Sequence, residues 1–247
     1  MNPWLIELSA AAAFSGAVVS YAAVDPHAQL FGATVRYTAA PQKLAITFDD
    51  GPNPAITPRL LDLLDRYDAK ATFFLVGRFV QECPALTTEI SARGHVLGNH
   101  TQTHPNLFWL SPRDVRSQLQ RCQDALREVT GASATYFRPP FGLRNPWVVS
   151  TARELGMQTV MWTLLPGDWQ DKPLERLTAR MQPVATNARD AAQRQSGDIL
   201  CLHDGGHRQL NSDRTRTLAA LEYWFPLWRD AGLEFVTIGE AANNPAN

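Results

Sequence analysis

The chain has 247 residues, enough for one large domain or two small ones, and α/β barrels reach this size as a single unit. Hydrophobic residues make up 45% and charged residues 19%, which supports a packed core and excludes extensive disorder. With 23 Lys and Arg against 24 Asp and Glu, the net charge of −1 leaves no basic excess for phosphates, so nucleic acid is not an expected partner.

Residues 3–24 form an Ala-rich apolar run of 22 residues with a single charge, Glu7. That is near the ~20 residues needed to span a bilayer. No Lys or Arg precedes the run, unlike an ordinary signal peptide, although Ser20-Tyr21-Ala22 loosely fits a small-residue cleavage site. Three readings stay open: an export signal, a membrane anchor, or an apolar helix packed on the domain. Residues 1–40 are taken as this segment and its lead-in, and 41–247 as the main domain.

From about Gln42 onward, short β-rich runs alternate with longer helical patterns. Strands are expected at 44–48, 71–76, 95–98, 135–137, 159–163, 199–202 and 235–238. Most are apolar without polar alternation, as strands buried on both faces should be. Between the first two, Thr57-Pro58 reads as an N-cap with Pro at the first helical position, and Leu60, Leu61 and Leu64 give the helix an apolar stripe. Ser111-Pro112-Arg113-Asp114 resembles a capping box. Val115, Leu119, Cys122, Leu126 and Val129 follow at helical spacing up to a stop at Gly131. Gly94 and Gly156 are placed to end two more helices. Long helices are expected over 174–194 and 214–231.

Such alternation implies a mostly parallel sheet wrapped by helices. Asp49 and Asp50 follow the first strand, His100 the third, Arg138 the fourth, and His203 and Asp204 the sixth, with Asp168 shortly past the fifth. Polar groups gathered at the carboxyl ends of several parallel strands favour a barrel over an open sheet, which would focus them near one switch point. The expected fold is an α/β, distorted and incomplete (β/α) barrel of about seven parallel strands.

His100-Thr101-Gln102-Thr103-His104 places two imidazoles four residues apart, and Pro105 keeps the turn from continuing as a helix. Alone, that spacing is a weak metal signal. Asp49-Asp50-Gly51-Pro52 strengthens it, because adjacent carboxylates repel unless a cation or proton separates their roles. One carboxylate and two His make a three-ligand set with positions open for water and substrate. Arg138-Pro139-Pro140 offers a rigidly mounted guanidinium able to pair with a carboxylate. His203 ends an apolar strand, and either Asp168 or Asp204 could raise its pKa and fix its tautomer. Trp162 and Trp169 read by default as core or wall. The three cysteines, Cys83, Cys122 and Cys201, form no CxxC pair and suggest neither a disulfide framework nor a thiolate zinc site. Without HExxH, a metalloprotease is not expected.

In order, Thr47-Phe48-Asp49-Asp50-Gly51-Pro52, His100-Thr101-Gln102-Thr103-His104, Arg138-Pro139-Pro140-Phe141-Gly142, Asp168-Trp169 and Leu202-His203-Asp204 closely resemble the five motifs of the polysaccharide deacetylase family, the NodB-homology group of carbohydrate esterases. The resemblance covers about Lys43 to Ile238. Cys201 stands where many members carry Leu, and Phe141 where many carry Tyr. The resemblance implies Asp50, His100 and His104 as metal ligands, zinc being the expected ion and cobalt, manganese or nickel alternatives. It implies Asp49 as general base oriented by Arg138, and His203 as general acid tuned by Asp168. Leu202 and Trp169 would line the acetyl pocket, and the Phe141 backbone N–H would help hold the oxyanion. The implied activity is hydrolysis of acetamido groups on an N-acetylated carbohydrate, chitin- or peptidoglycan-like, with no obligate protein partner inferred. The apolar run 3–24 adds the expectation of a cell-envelope or secreted location with membrane association through that run. The motifs describe the reacting centre alone. An O-acetyl esterase, a small-amide hydrolase and, less favoured, a non-catalytic carbohydrate-binding protein remain alternatives, and a cytoplasmic location stays open. Phe108, Trp109 and Trp147 are candidates for stacking on sugar rings or for ordinary packing.

Overall fold

A computed structural model describes residues 16–171 and 173–242. Its seven strands are β1 (Lys43–Gly51), β2 (Thr72–Leu75), β3 (Val96–Asn99), β4 (Tyr136–Phe137), β5 (Gln158–Thr159), β6 (Asp198–His203) and β7 (Glu234–Val236). All pair in parallel, in the order β5-β4-β3-β2-β1-β6. β6 lies along one side of β1. The other side is shared by β7, opposite Lys43–Ala45, and β2, opposite Thr47–Gly51. The helices are α1 (described over residues 16–24), α2 (Thr57–Arg66), α3 (Gly77–Glu82), α4 (Pro84–Ala92), α5 (Pro112–Thr130), α6 (Pro146–Glu154), α7 (Leu174–Arg189), α8 (Thr215–Asp230) and α9 (Ile238–Ala242).

Strand alternation divides the core. Leu44, Ile46 and Phe48 of β1, with Leu200 and Leu202 of β6, face outward and pack with Leu60, Leu61 and Leu64 of α2 and Phe225 and Trp228 of α8. Ala45 and Ile199 face inward with Phe74, Val160 and Ile238 and fill the base of the curled sheet. A third cluster joins Phe137 to Val115 and Leu119 of α5 and Val148 and Ala152 of α6. At Gly98 any Cβ would come within 2.4 Å of the Phe74 ring, so a glycine there makes room for that inward phenylalanine.

The fifth expected strand stops short, β5 ending at Thr159. In the run 159–163, Thr159, Val160 and Met161 are buried and Trp162 and Thr163 half-buried, but its partner changes along its length. Val160 N–H donates to Phe137 O, Met161 N–H donates to Val35 O, and Thr163 N–H donates to Ile199 O of β6. Leu164 bridges Leu200, and Val35 bridges Val160. The result is a distorted, incomplete barrel.

Ser111 caps α5 as expected, accepting from Asp114 N–H, and Gly131 ends it at φ 75°. Thr57 does not cap α2; Ile56 stands at that position. The Thr57 hydroxyl is taken by Asp204, to which it donates, and it accepts from Asn53 N–H. The expected 174–194 helix ends at Arg189; a short 3-10 turn over Ala191–Gln193 follows, and Arg194 is extended and pairs with Asp198 at the start of β6 (3.0 and 3.1 Å).

The apolar run 3–24 lies partly outside the described residues. Ala22 and Ala23 of α1 are buried, while Val18, Val19, Tyr21 and Val24 are exposed. The buried Arg144 fastens this end, its guanidinium donating to Ala22 O (3.0 Å) and its N–H to Ala23 O (3.1 Å). Among the described residues, no helix is long and apolar enough to cross a membrane.

Candidate active site

Two adjacent residues on a strand should point to opposite faces. Asp49 and Asp50 do not, because the β1–β2 register shifts between Asp49 and Gly51 and Asp50 takes φ 71°. This bulge turns Asp50 to the same side as Asp49. His100 Nε2 consequently lies 3.9 Å from Asp49 Oδ2 and 3.7 Å from Asp50 Oδ1.

The buried Arg138 lies beneath Asp49, reaching inward from the end of β4. Its Nη1 donates to Asp49 Oδ1 (2.8 Å) and Thr47 Oγ1 (2.7 Å), and its Nη2 to Met161 O (3.1 Å). The guanidinium packs 4.2 Å from the Phe74 ring centroid. This pairing occupies one oxygen of Asp49. The other has Cys201 Sγ as a donor at 3.4 Å.

His100 is oriented from behind, with Nδ1 2.8 Å from Arg138 O, which leaves Nε2 toward the acids. His104 enters from the turn after β3, where Thr101 and His104 both have positive φ and His104 N–H donates to Thr101 Oγ1. Its Nε2 is 3.2 Å from Asp50 Oδ1, yet that oxygen is buried with no hydrogen-bond partner. Burial, then the neighbouring His100, lowers the His104 pKa to about 3, so its ring is neutral with one ring nitrogen's lone pair free for a ligand. Burial works against the charge of Asp50, but His207, His104, His203 and His100 together hold its carboxyl below the usual carboxylate range.

On the opposite side, His203 Nδ1 is 2.9 Å from Asp168 Oδ1. Asp168 Oδ2 accepts from His203 N–H (2.8 Å) and the Thr217 hydroxyl (2.9 Å), so the carboxylate is fixed at both oxygens. Burial alone would lower the His203 pKa. The charge and hydrogen bond of Asp168, with Asp50 and Asp49 adding, raise it instead to about 9. Of the two candidate partners for His203, the structure therefore selects Asp168. Asp204 is buried elsewhere, accepting from Thr57, and burial pushes its pKa up to about 7.

A carboxylate–guanidinium pair and a carboxylate–imidazole pair thus flank a buried, hydrogen-bond-free carboxylate oxygen. The model of the polysaccharide deacetylase family matches residues 36–160. A chitooligosaccharide deacetylase of Azorhizobium caulinodans is 33% identical over 210 residues, covering 82% of this chain and 96% of that protein. The chain belongs to the polysaccharide deacetylase family. It is a hydrolase of the carbohydrate esterase type that defines this family. A peptidoglycan-N-acetylglucosamine deacetylase of Bacillus cereus is 39% identical over 199 residues, covering 80% of this chain and 86% of its own. Among solved structures, the Bc1960 peptidoglycan N-acetylglucosamine deacetylase superposes with a TM-score of 0.72 at 28% identity, over 84% of this chain and 91% of that one.

Set against the motifs of the polysaccharide deacetylases, most expected residues converge, but Leu202 does not reach the site. It is fully buried on the outward face of β6 with the helices, and alternation puts Cys201 and His203 on the inward face. Trp169 is half exposed and meets His203 edge-on at 4.9 Å, so it forms a wall of the site. Phe141 sits in a turn at φ 58°, its exposed ring edge-on to His104 at 4.7 Å. Trp162 packs with the inner core under Gly142, as its default reading expected. Trp109 and Trp147 are exposed, the latter donating from Nε1 to Leu110 O.

One site residue was missed by sequence reasoning. His207 stacks on His104 at 4.3 Å, with Nδ1 3.7 Å from Asp50 Oδ2. Its sequence signal was the glycine pair before it, Gly205-Gly206, which lets the chain fold back over the strand ends immediately after His203-Asp204.

Proposed function

We propose that the protein hydrolyses the acetamido groups of N-acetylglucosamine polymers or oligomers, chitin- or peptidoglycan-like, releasing acetate at a site that binds a divalent metal. The observation that carries this reading is the pairing just described: Asp49 with Arg138 and His203 with Asp168, on either side of Asp50. The named relatives, deacetylases of chitooligosaccharides and of peptidoglycan N-acetylglucosamine, support the substrate class.

The residues present fit a cation. Asp50 Oδ1 is a buried acceptor with no donor, and the two imidazole Nε2 atoms facing it, at 3.2 and 3.7 Å, are not placed to hydrogen-bond it. Asp50, His100 and His104 would hold the ion, zinc being expected and cobalt, manganese or nickel the alternatives. Bound there, it supplies Lewis acidity toward a carbonyl oxygen and lowers the pKa of a water to about 7.

The protein groups divide the proton transfers. Asp49, with Oδ1 taken by Arg138, presents Oδ2 to take a proton from the attacking water. The Phe141 N–H, carried on the turn after Pro139-Pro140, would donate to the carbonyl oxygen as charge develops there. His203, kept protonated by Asp168, gives its proton to the departing nitrogen. An amine anion is a very poor leaving group, so this last transfer is required for amides. Trp169 beside His203 walls the acetyl pocket.

An envelope or secreted location goes with this reading. Its support is the exposed apolar face of α1, and cell fractionation tests it. The function itself is tested by acetate release from chitooligosaccharides, peptidoglycan and acetylxylan, with and without chelator. Release from the first two, abolished by chelation, is expected. Full activity after chelation would overturn the metal assignment, and release from acetylxylan alone would make the enzyme an O-acetyl esterase.

A further inference from the structure

Asp50, His104 and His207 each bring one donor atom within 4.8 Å of the other two. We propose that His207 is a further ligand of the metal, so that the ion is gripped from the loops after β1, β3 and β6. The proposal rests on the metal reading above; the cluster of donors within 4.8 Å holds His207 but not His100, whose Nε2 is 3.7 Å from Asp50 Oδ1.

The spacing brings both imidazoles within reach of a cation seated on the Asp50 carboxylate. Two donors on one ion, with arms of about 2.0–2.2 Å at angles between about 90° and tetrahedral, stand roughly 2.8–3.6 Å apart, and with a fourth protein ligand the ion must expand beyond four-coordination to keep a position for water. Asp50 lies 3.2 Å from His104 Nε2 and 3.7 Å from His207 Nδ1. Each imidazole faces a different oxygen of the carboxylate: His104 is on Oδ1 and His207 on Oδ2.

The loop that presents His207 is strapped to the acids. A Cβ at Gly205 would come 2.1 Å from Asp50 O, and one at Gly206 would come 2.4 Å from Ser212 Oγ, so both positions demand glycine. Asn53 Nδ2 donates to Asp204 O (2.8 Å) and Ser212 O (2.9 Å), drawing the ends of the loop together. Arg78 donates to the His207 carbonyl. These contacts involve backbone, not the imidazole, so they hold the ring over Asp50 without consuming either of its nitrogens. The ring is stacked on His104 at 4.3 Å and 17°, and because an imidazole coordinates in its ring plane, the His207 side chain must turn out of this stack to share the ion.

The test measures metal binding rather than turnover. The full chain is stripped of metal, and zinc is titrated in competition with a chromophoric chelator for the wild type, His207→Ala and His207→Asp. Cobalt spectra are recorded in parallel. His207→Ala should weaken zinc retention by roughly ten-fold or more, since even outer partners of ligands contribute that much. His207→Asp, which keeps a donor, should recover part of the loss, and the cobalt absorption should change with the lost nitrogen. The His207 side chain is about a third exposed, so neither substitution threatens the fold. Equal zinc affinity and an unchanged cobalt spectrum in His207→Ala would overturn the proposal and leave the metal reading standing. A wild type that binds neither ion would overturn both.

Discussion

Two histidines of one site are driven in opposite directions. On the β6 side His203 is raised to about 9, and on the β3 side His104 is lowered to about 3. Burial lowers both. The difference lies in the partners: His203 has a dedicated carboxylate, Asp168, held by three donors, whereas His104 shares Asp50 with other imidazoles. Groups pushed apart in this way carry different tasks. The β6 side is built to keep a proton and the β3 side to keep lone pairs free.

The adjacent acids divide in the same way, and breaking that division gives the largest effect. Asp49 is hydrogen-bonded by Arg138, while Asp50 keeps an unbonded oxygen. Asp49→Asn should lower turnover by about 10³-fold or more, within the range for loss of a general base, with zinc retention nearly unchanged. Loss of the metal instead would mean that the roles of the two acids are exchanged.

His203→Ala tests the β6 side. Amide hydrolysis should fall by about 10²–10⁴-fold, but cleavage of an activated aryl acetate, whose leaving group needs no proton, by far less. Equal losses on the two substrates would remove the acid role.

A third measurement is the pH profile. His203 acts protonated, so activity is present below its pKa and lost as pH rises through it. The basic limb should lie below about 9 in the loaded enzyme, because a cation on Asp50 offsets one of the charges that raise His203. Asp168→Asn removes the largest of the raising causes and leaves burial, so the limb should move down by about one unit or more. A limb that stays in place would mean that another group titrates there.

The sequence makes one half of this comparison easier to read than the other. All seven strands could be placed, since runs such as Leu44–Phe48 are apolar on both faces, and the groups at their ends follow from that placement. Spacing alone could not separate Asp168 from Asp204 as the partner of His203, and the family resemblance named Asp168; the choice depends on Thr57 and Asn53 binding Asp204 across about 150 residues of chain. The bulge that aligns Asp50 with Asp49 is a register shift against β2, which periodicity within β1 does not show. Leu202 was assigned to the pocket from motif position, whereas strand parity, readable from His203 alone, sends it outward. His207 escaped notice because it lies beyond the last motif, although Gly205-Gly206 marked a tight return of the chain.

The smallest expected effect probes how much of Asp49's aim depends on Arg138. Cys201 Sγ lies 3.4 Å from Asp49 Oδ2 and 3.5 Å from Arg138 Nη1, at a position where many family members carry Leu. A thiol is a weak donor, worth at most about 1 kcal/mol in such a contact, or roughly five-fold in rate. Arg138 is itself fixed by Thr47 and Met161 O, so Asp49 keeps its main anchor when the thiol goes. Cys201→Ala should therefore lower kcat by less than about five-fold, leaving zinc retention and the pH limb of His203 in place. A hundred-fold loss would show that Oδ2 must be held as firmly as Oδ1, and that the buried guanidinium alone does not aim the base.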